Sequence, residues 1–269
     1  MGGERLDPSE LWRQYSQNKQ TVRELAVQYS VSESTVKRRL RPVVENFECK
    51  DFPRCGTVLM DTTYFGRDWG VTVVKDFLTG KILCRKYVRH ERLIDYRECT
   101  DFILSKGYQI WGIVCDGFKG IFKQYSVFSV QMCQYHFVSL IRRYLTRNPK
   151  LQAGKELWIP VKNITKLTEN EFIESFQKWE DKWIPFLKER TKDEKTGKSH
   201  FTHKKLRSAW LSIKKHLPYL FVFEKVSFKM PNTNNALEGT FTALKNSLRN
   251  HGGMSKENRK RFIDGFLKA

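Results

Sequence analysis

The hydrophobic pattern of the chain changes period near Cys55. Before that point apolar positions recur at helical spacing: Leu11, Trp12 and Tyr15, then Val22, Leu25, Ala26 and Tyr29, then Val36 and Leu40. Three short helices are predicted. Pro8 suits an opening turn, Thr21 and Glu24 have the Thr-x-x-Glu spacing of a capping box, and Ser32 can cap a third helix that should stop before Pro42. From Cys55 the runs Thr57 to Phe65, Trp69 to Lys75 and Lys81 to Val88 are β-rich, with turns at Gly66 to Asp68 and at Thr79-Gly80. A helix with Leu93, Tyr96, Cys99 and Ile103 on one side follows and ends at Gly107. Next come the apolar run Gln109 to Cys115, a short helical segment around Phe118 to Phe122, and the strand-like Phe128 to Cys133. The predicted order is βββαβαβ. Farther on, Phe172, Phe176, Trp179, Trp183 and Phe186 form one helical stripe and Leu206, Trp210, Ile213 and Leu217 another. Asn234 or Asn235 can cap a helix from Ala236 to about Asn250, which Gly252-Gly253 ends.

Charge adds a partner to this pattern. In 269 residues, 49 Lys and Arg stand against 29 Asp and Glu, a formal net charge of +20. Such a surface expects a polyanion, nucleic acid above all. The mean hydropathy is -0.56 and no apolar run approaches the ~18 residues that a membrane-spanning helix requires, so no such span is expected. The first residues have no signal-peptide core, so a cytoplasmic location is expected. The six cysteines are scattered and read as reduced thiols; Cys49 and Cys55 have no second pair to complete a zinc knuckle. On the third predicted helix, burying Val36 and Leu40 leaves Thr35, Lys37, Arg38, Arg39 and Arg41 outward, as major-groove binding by a helix-turn-helix requires. A small helical bundle with a solvated basic face is the alternative.

Two aspartates stand where burial should forbid them. Asp61 follows Val58-Leu59-Met60 within the first strand, and Asp116 ends Ile113-Val114-Cys115. An isolated buried carboxylate costs several kcal/mol unless it is paired or holds a metal. In a βββαβαβ sheet the first and fourth strands can be neighbours, so the two carboxylates can share a hard cation such as magnesium. An ion pair, or for Asp116 a strand-end turn, is the competing explanation. Glu238 falls in the first turn of the last predicted helix, with Thr242, Lys245 and Arg249 on roughly the same face. It is either a helix-dipole glutamate or a third metal ligand. Two Asp and one Glu can hold two divalent cations ~3.5–4 Å apart, the arrangement that drives phosphodiester cleavage.

The segments Met60-Asp61-Thr62-Thr63-Tyr64-Phe65-Gly66, Ile113-Val114-Cys115-Asp116-Gly117, Cys133-Gln134-Tyr135-His136 and Pro231-Asn232-Thr233-Asn234-Asn235-Ala236-Leu237-Glu238-Gly239 resemble, in order, those of bacterial insertion-sequence transposases of the Mutator type. The resemblance runs from about residue 55 to the C-terminus. It implies an α/β RNase H-like mixed sheet with an all-helical insertion, and a DDE triad of Asp61, Asp116 and Glu238 holding two Mg2+ or Mn2+. The Cys133-x-x-His136 pair has a counterpart after the fifth strand of that family. His136 is expected to orient a carboxylate or contact the scissile phosphate, and two ligands alone do not make a zinc site, so zinc is not expected. Some relatives carry a zinc ribbon ahead of the helix-turn-helix, which is not found here.

The expected division is a helix-turn-helix domain at 1–46, a linker at 47–54, a first core segment at 55–148, the helical insertion at 149–230 and a final core segment at 231–269. Lys204, Lys205 and Arg207 are expected to face phosphate, with Trp210 among them as a candidate for base stacking, although apolar stripes of this kind are more often core. Lys245 and Arg249 complete the expected DNA contacts. By resemblance the partners are double-stranded DNA, both element ends and target, and a second copy of the chain; no membrane and no small-molecule substrate is expected, and the setting is the bacterial cytoplasm at the nucleoid. The leading expectation is a transposase that cleaves and joins strands at terminal inverted repeats. A DNA-binding regulator or domesticated derivative without catalysis, and a stand-alone RNase H-like nuclease, are the alternatives.

Overall fold

The computed structural model describes residues 7–16, 18, 20–41, 49, 51–251 and 253–268. Pro42, Gly252, the first six positions and most of residues 47–50 lie outside them, so the expected stop of the third helix, the glycine pair after Asn250, the opening segment and part of the linker are not addressed.

A five-stranded mixed sheet forms the centre, with strand order β3-β2-β1-β4-β5. Strands β1 (Cys55–Tyr64), β2 (Gly70–Asp76) and β3 (Ile82–Val88) form an antiparallel meander. Helix α4 (Leu93–Ser105) carries the chain across to β4 (Gln109–Cys115), and the short α5 (Ile121–Gln124) leads to β5 (Ser129–Met132). Both β4 and β5 run parallel to β1. This is the RNase H-like arrangement. The sequence pattern places each of these five strands to within two residues; the short helix starts three residues later than expected, at Ile121, because Gly117 and Gly120 both take left-handed backbone.

Each face of the sheet has its own apolar layer, sorted by the alternation of side chains along a strand. Val58 and Met60 point to the side covered by Tyr96, Cys99 and Ile103 of α4, joined by Ile113 and Cys115. Leu59 and Val114 point to the other, where α10 (Asn235–Arg249) and α11 (Lys256–Leu267) supply Leu237, Phe241, Leu244, Phe262 and Ile263.

The second layer also takes in the N-terminal helices α1 (Pro8–Ser16), α2 (Val22–Gln28) and α3 (Glu33–Leu40). The Thr21–Glu24 capping box forms, and the Ser32 hydroxyl accepts from the Thr35 N–H at 3.1 Å. These helices pack on the core through α11. Tyr15 lies against His251 and Phe262, Arg261 donates to the Leu40 carbonyl, and Gly265 admits Trp12, whose Nε1 would be 2.8 Å from a Cβ there. Helix α11 is in turn fixed to the sheet by Asp264, which takes a bidentate contact from Arg85 at 2.5 and 2.9 Å and a hydroxyl from Tyr87 at 2.8 Å.

Between β5 and α10 lies a separate apolar cluster built from α6 (Gln134–Leu145), α7 (Gln152–Lys162), α8 (Glu169–Lys188) and α9 (Lys204–His216). Phe172, Phe176 and Trp179 are core, and α6 contributes Phe137, Ile141 and Leu145 to the same cluster. This region is not all-helical. Between α8 and α9 a hairpin pairs β6 (Arg190–Lys192) with β7 (Ser199–Phe201) around a tight turn with Gly197 at φ 66°. Among the described residues no helix is long and apolar enough to cross a membrane.

Candidate active site

Asp61 lies near the end of β1 and Asp116 follows β4 directly. The parallel pairing of β1 with β4 ends at Leu59 and Val114; Asp61 and Asp116 each lie two residues further on, at the same end of the sheet, where the charge of Asp116 acts on Asp61. Side chains two apart along a strand share a face, so Asp61 lies on the side of Leu59, which is the side covered by α10. Leu237 is in that covering layer, and Glu238 is the next residue. Sheet period and helix packing together direct three distant carboxylates to one end of the sheet.

The electrostatics reflect this convergence. Burial first, then the charges of Asp116, Glu91 and Glu238, together push the Asp61 carboxyl up to about 8 against one backbone hydrogen bond from Thr62. Asp61 is 9% exposed, and it differs from the other buried acids. Asp95 is paired with Lys86 and Arg92, Asp264 with Arg85, and Asp76 accepts the hydroxyls of Tyr108 and Thr79. No lysine or arginine among the described residues forms an ion pair with Asp61 or Asp116. The Asp116 carboxylate accepts the Phe118 N–H at 2.9 Å, a turn that Gly117 allows by taking φ 84°.

The loop before α10 is stitched to its surroundings at several points. Asn234 holds the N-cap position, but its amide does not cap the helix; Nδ2 donates instead to the carbonyl of Met60 at 3.0 Å. Its backbone N–H donates to Cys133 Sγ at 3.3 Å. Asn232 and Gln134 exchange two hydrogen bonds at 3.0 Å, and Cys133 N–H donates to the Cys115 carbonyl at 2.7 Å. The segment Asn232 to Asn234 thus ties β1, β4, α6 and α10 together around the carboxylates.

His136, on the first turn of α6, places Nδ1 3.7 Å from Glu238 Oε1, with side chains 34% and 41% exposed respectively. The neighbouring Cys133 sulfur raises the tendency of its imidazole to protonate, outweighing burial, and Glu238 and Asp116 add to the effect. Among the described residues, the trio whose ligand atoms all lie within 4.8 Å of one another is Cys133, His136 and Glu238, rather than the two aspartates with Glu238. Glu238 therefore stands between two sets of partners.

Glu91 was not singled out by the sequence reading. It sits in the loop between β3 and α4, where burial raises its carboxyl although the Tyr96 hydroxyl donates to it, and the charge of Asp116 adds to the rise. Tyr96 also contacts the Thr62 hydroxyl at 3.1 Å. A polar loop residue has no periodicity to mark it, and only the fold shows its proximity.

The basic residues divide among three places. On α3, Arg38, Arg39 and Arg41 are exposed, Lys37 is exposed beside Glu33 at 3.4 Å, and Thr35 is half-buried against Ser32. Lys37 and Arg41 line a groove of about 330 Å3 with Asn258 and Arg261 of α11. Lys245 and Arg249 line a second, of about 370 Å3, with Arg259 and Tyr64, the last residue of β1. Lys204, Lys205 and Arg207 lie apart on α9. Trp210 there is already engaged: Nε1 donates to Glu180 at 2.9 Å, and Arg207 and Lys214 lie over its ring at 5.3 and 5.2 Å. That arrangement is a structural anchor for α9 on α8 and not an open stacking platform. Among the described residues neither Cys49 nor Cys55 forms a disulfide.

No family model matches the chain, and no curated protein matches it. Among solved structures it is similar to the Drosophila P element transposase strand transfer complex, at 12% identity over 98% of this chain and 92% of that one, with a TM-score of 0.44. It is also similar to a chain of the simian T-cell lymphotropic virus intasome in complex with PP2A regulatory subunit B56 gamma, at 12% identity over 59% and 69%, with a TM-score of 0.25.

Proposed function

We propose that this chain is a DNA transposase of the DDE type, with Asp61, Asp116 and Glu238 as its metal-binding carboxylates. The observation that carries the reading is Asp61 near the end of β1 and Asp116 directly after the adjacent parallel strand β4, close enough for the Asp116 charge to act on Asp61, which is deeply buried and has no ion pair with a lysine or arginine among the described residues. A carboxylate held in that state calls for a counter-charge, and an all-oxygen donor set suits Mg2+ or Mn2+. When bound, such cations lower the pKa of water or a 3′-hydroxyl and stabilise the departing oxygen in phosphodiester cleavage.

The chain's own residues have separable tasks in this reading. Asp61 and Asp116 hold the cations from the rigid sheet, and Glu238 reaches them from α10. His136, next to Glu238, orients that carboxylate or donates a proton to a phosphate oxygen. Glu91, held by Tyr96, adds negative charge behind Asp116 and strengthens attraction for the cations. Lys245 and Arg249 extend along α10 from Glu238 and hold phosphates of the cleaved duplex; Arg38, Arg39 and Arg41 of α3 read the element end in the manner of a helix-turn-helix. Lys204, Lys205 and Arg207 of α9 contact DNA phosphates in the same reading. Two ends must be joined to one target, so the working unit is a homodimer in the bacterial cytoplasm, at the nucleoid.

The direct experiment uses duplexes taken from the DNA flanking this reading frame, including any inverted repeats. Purified protein with Mg2+ is expected to nick them at a fixed position and to join the 3′-hydroxyl to a second duplex. Asp61→Asn is expected to abolish both steps and to keep DNA binding. Specific binding without cleavage under any divalent metal would leave a DNA-binding regulator in place of a transposase.

A further inference from the structure

We propose that Cys133, His136 and Glu238 form a second cation site, selective for a borderline metal such as zinc and distinct from the aspartate pair. Cys133 Sγ, a ring nitrogen of His136 and a carboxylate oxygen of Glu238 all lie within 4.8 Å of one another. His136 Nδ1 and Glu238 Oε1 are 3.7 Å apart. Ligands ~2.0–2.1 Å from a tetrahedral zinc stand roughly 3.4 Å from each other, and a thiolate at ~2.3 Å stands slightly farther, so small side-chain rotations close the site.

Two further observations point to a cation there. The Nδ1 atom of His136 is buried and has no hydrogen-bond partner among the described residues, although the Cys133 sulfur and a Glu238 carboxylate oxygen lie close by. A buried polar atom without a partner is uncommon, and a bound cation supplies one. Cys133 stands at the N-cap of α6 and its sulfur accepts the Asn234 N–H at 3.3 Å, which fixes the ligand atom beside the loop that carries α10. The backbone bonds of Cys133 to Cys115 and of Gln134 to Asn232 hold the sulfur in place. Three protein ligands leave a fourth position open to water or a phosphate oxygen.

Thiolate and imidazole select zinc over magnesium, which prefers oxygen. Sharing Glu238 makes the two sites compete: zinc at Cys133 and His136 draws the carboxylate from the aspartates and inhibits Mg2+-dependent cleavage. That consequence rests on the transposase reading, whereas the binding itself does not.

The test is a titration of the full-length, metal-free protein with Co2+, whose bond to thiolate gives a near-ultraviolet charge-transfer band. The band is expected in the wild type and in Asp61→Asn, absent in Cys133→Ser, and shifted to at least ~tenfold higher cobalt in His136→Ala and Glu238→Gln. Zn2+ should displace the cobalt, and zinc binding to metal-free protein should release protons. No charge-transfer band, or a band that survives in folded Cys133→Ser, overturns the proposal. His136→Ala, at a half-buried position, keeps it falsifiable if Cys133→Ser does not fold: unchanged cobalt affinity there also overturns it. A cobalt band with no DNA cleavage supports the metal site and removes the transposase reading; cleavage with no band does the reverse.

Discussion

Asn234 Nδ2 donates to the carbonyl of Met60 at 3.0 Å, so the first turn of α10 is bonded to β1 one residue before Asp61. The same asparagine donates its backbone N–H to Cys133 Sγ, and its position therefore links both candidate ligand sets. Replacing it by alanine leaves the Met60 carbonyl without this partner in a fully buried setting. Asn234→Ala is expected to lower stability by ~1–3 kcal/mol in denaturant unfolding. At temperatures where the variant remains folded, cleavage should fall by more than the folded fraction explains. A variant as stable and as active as the wild type would show that this bond does not position Glu238.

Asp61 makes the metal-free protein sensitive to pH in a direction opposite to that of most paired carboxylates. Its folded value is raised from 3.8 to about 8, so between those limits the folded chain keeps a proton that the unfolded chain has lost. Stability then falls as pH rises from about 4 towards 8 and levels off above. Asp61→Asn is expected to flatten this profile and to stabilise metal-free protein near neutral pH by roughly a few kcal/mol. Mg2+ or Mn2+ should stabilise the wild type more than the variant. Thermal melts across this range, with and without Mn2+, measure both effects.

The helical periods and the alternation of β1 and β4 are legible in the chain, and so is the oddity of Asp61 among Val58, Leu59 and Met60. The rest is not legible because it depends on contacts between distant segments. The hairpin strands Arg190–Lys192 and Ser199–Phe201 are short and mostly exposed, which gives them no apolar alternation to detect. Asn234 reads as a helix cap because its role lies across the fold, on Met60. Glu91 and Tyr96 meet beside Asp116 only after α4 packs on the sheet. The seating of Trp12 on Gly265 joins opposite ends of the chain, and neither residue carries a local sign of it.

Arg85 and Tyr87 on β3 hold Asp264 of α11, and α11 carries the N-terminal helices. Asp264→Ala leaves a largely covered guanidinium without its carboxylate, at an expected loss of ~3–5 kcal/mol. Protection of amides in α1 and α11 should fall together in hydrogen exchange. Loss confined to α11 would show that the N-terminal helices stand without it.

Arg38 is exposed on α3, and the proposed function gives it a contact with element-end DNA. For a phosphate contact, Arg38→Ala should weaken binding and lower the slope of log affinity against log salt by about 1; for a base contact, it should cost ~1–3 kcal/mol and relax sequence preference. Affinity that is unchanged at several salt concentrations removes α3 from the recognition surface.

The central claim is that Asp61, Asp116 and Glu238 jointly bind divalent cations at the DNA backbone. Mn2+ binding to the protein with end DNA, followed by electron paramagnetic resonance, tests it most directly. Asp61→Asn, Asp116→Asn and Glu238→Gln are each expected to weaken it by roughly tenfold or more, as removal of a direct ligand should at least match the loss of an outer-shell partner. Wild-type Mn2+ affinity in all three folded variants would contradict the account.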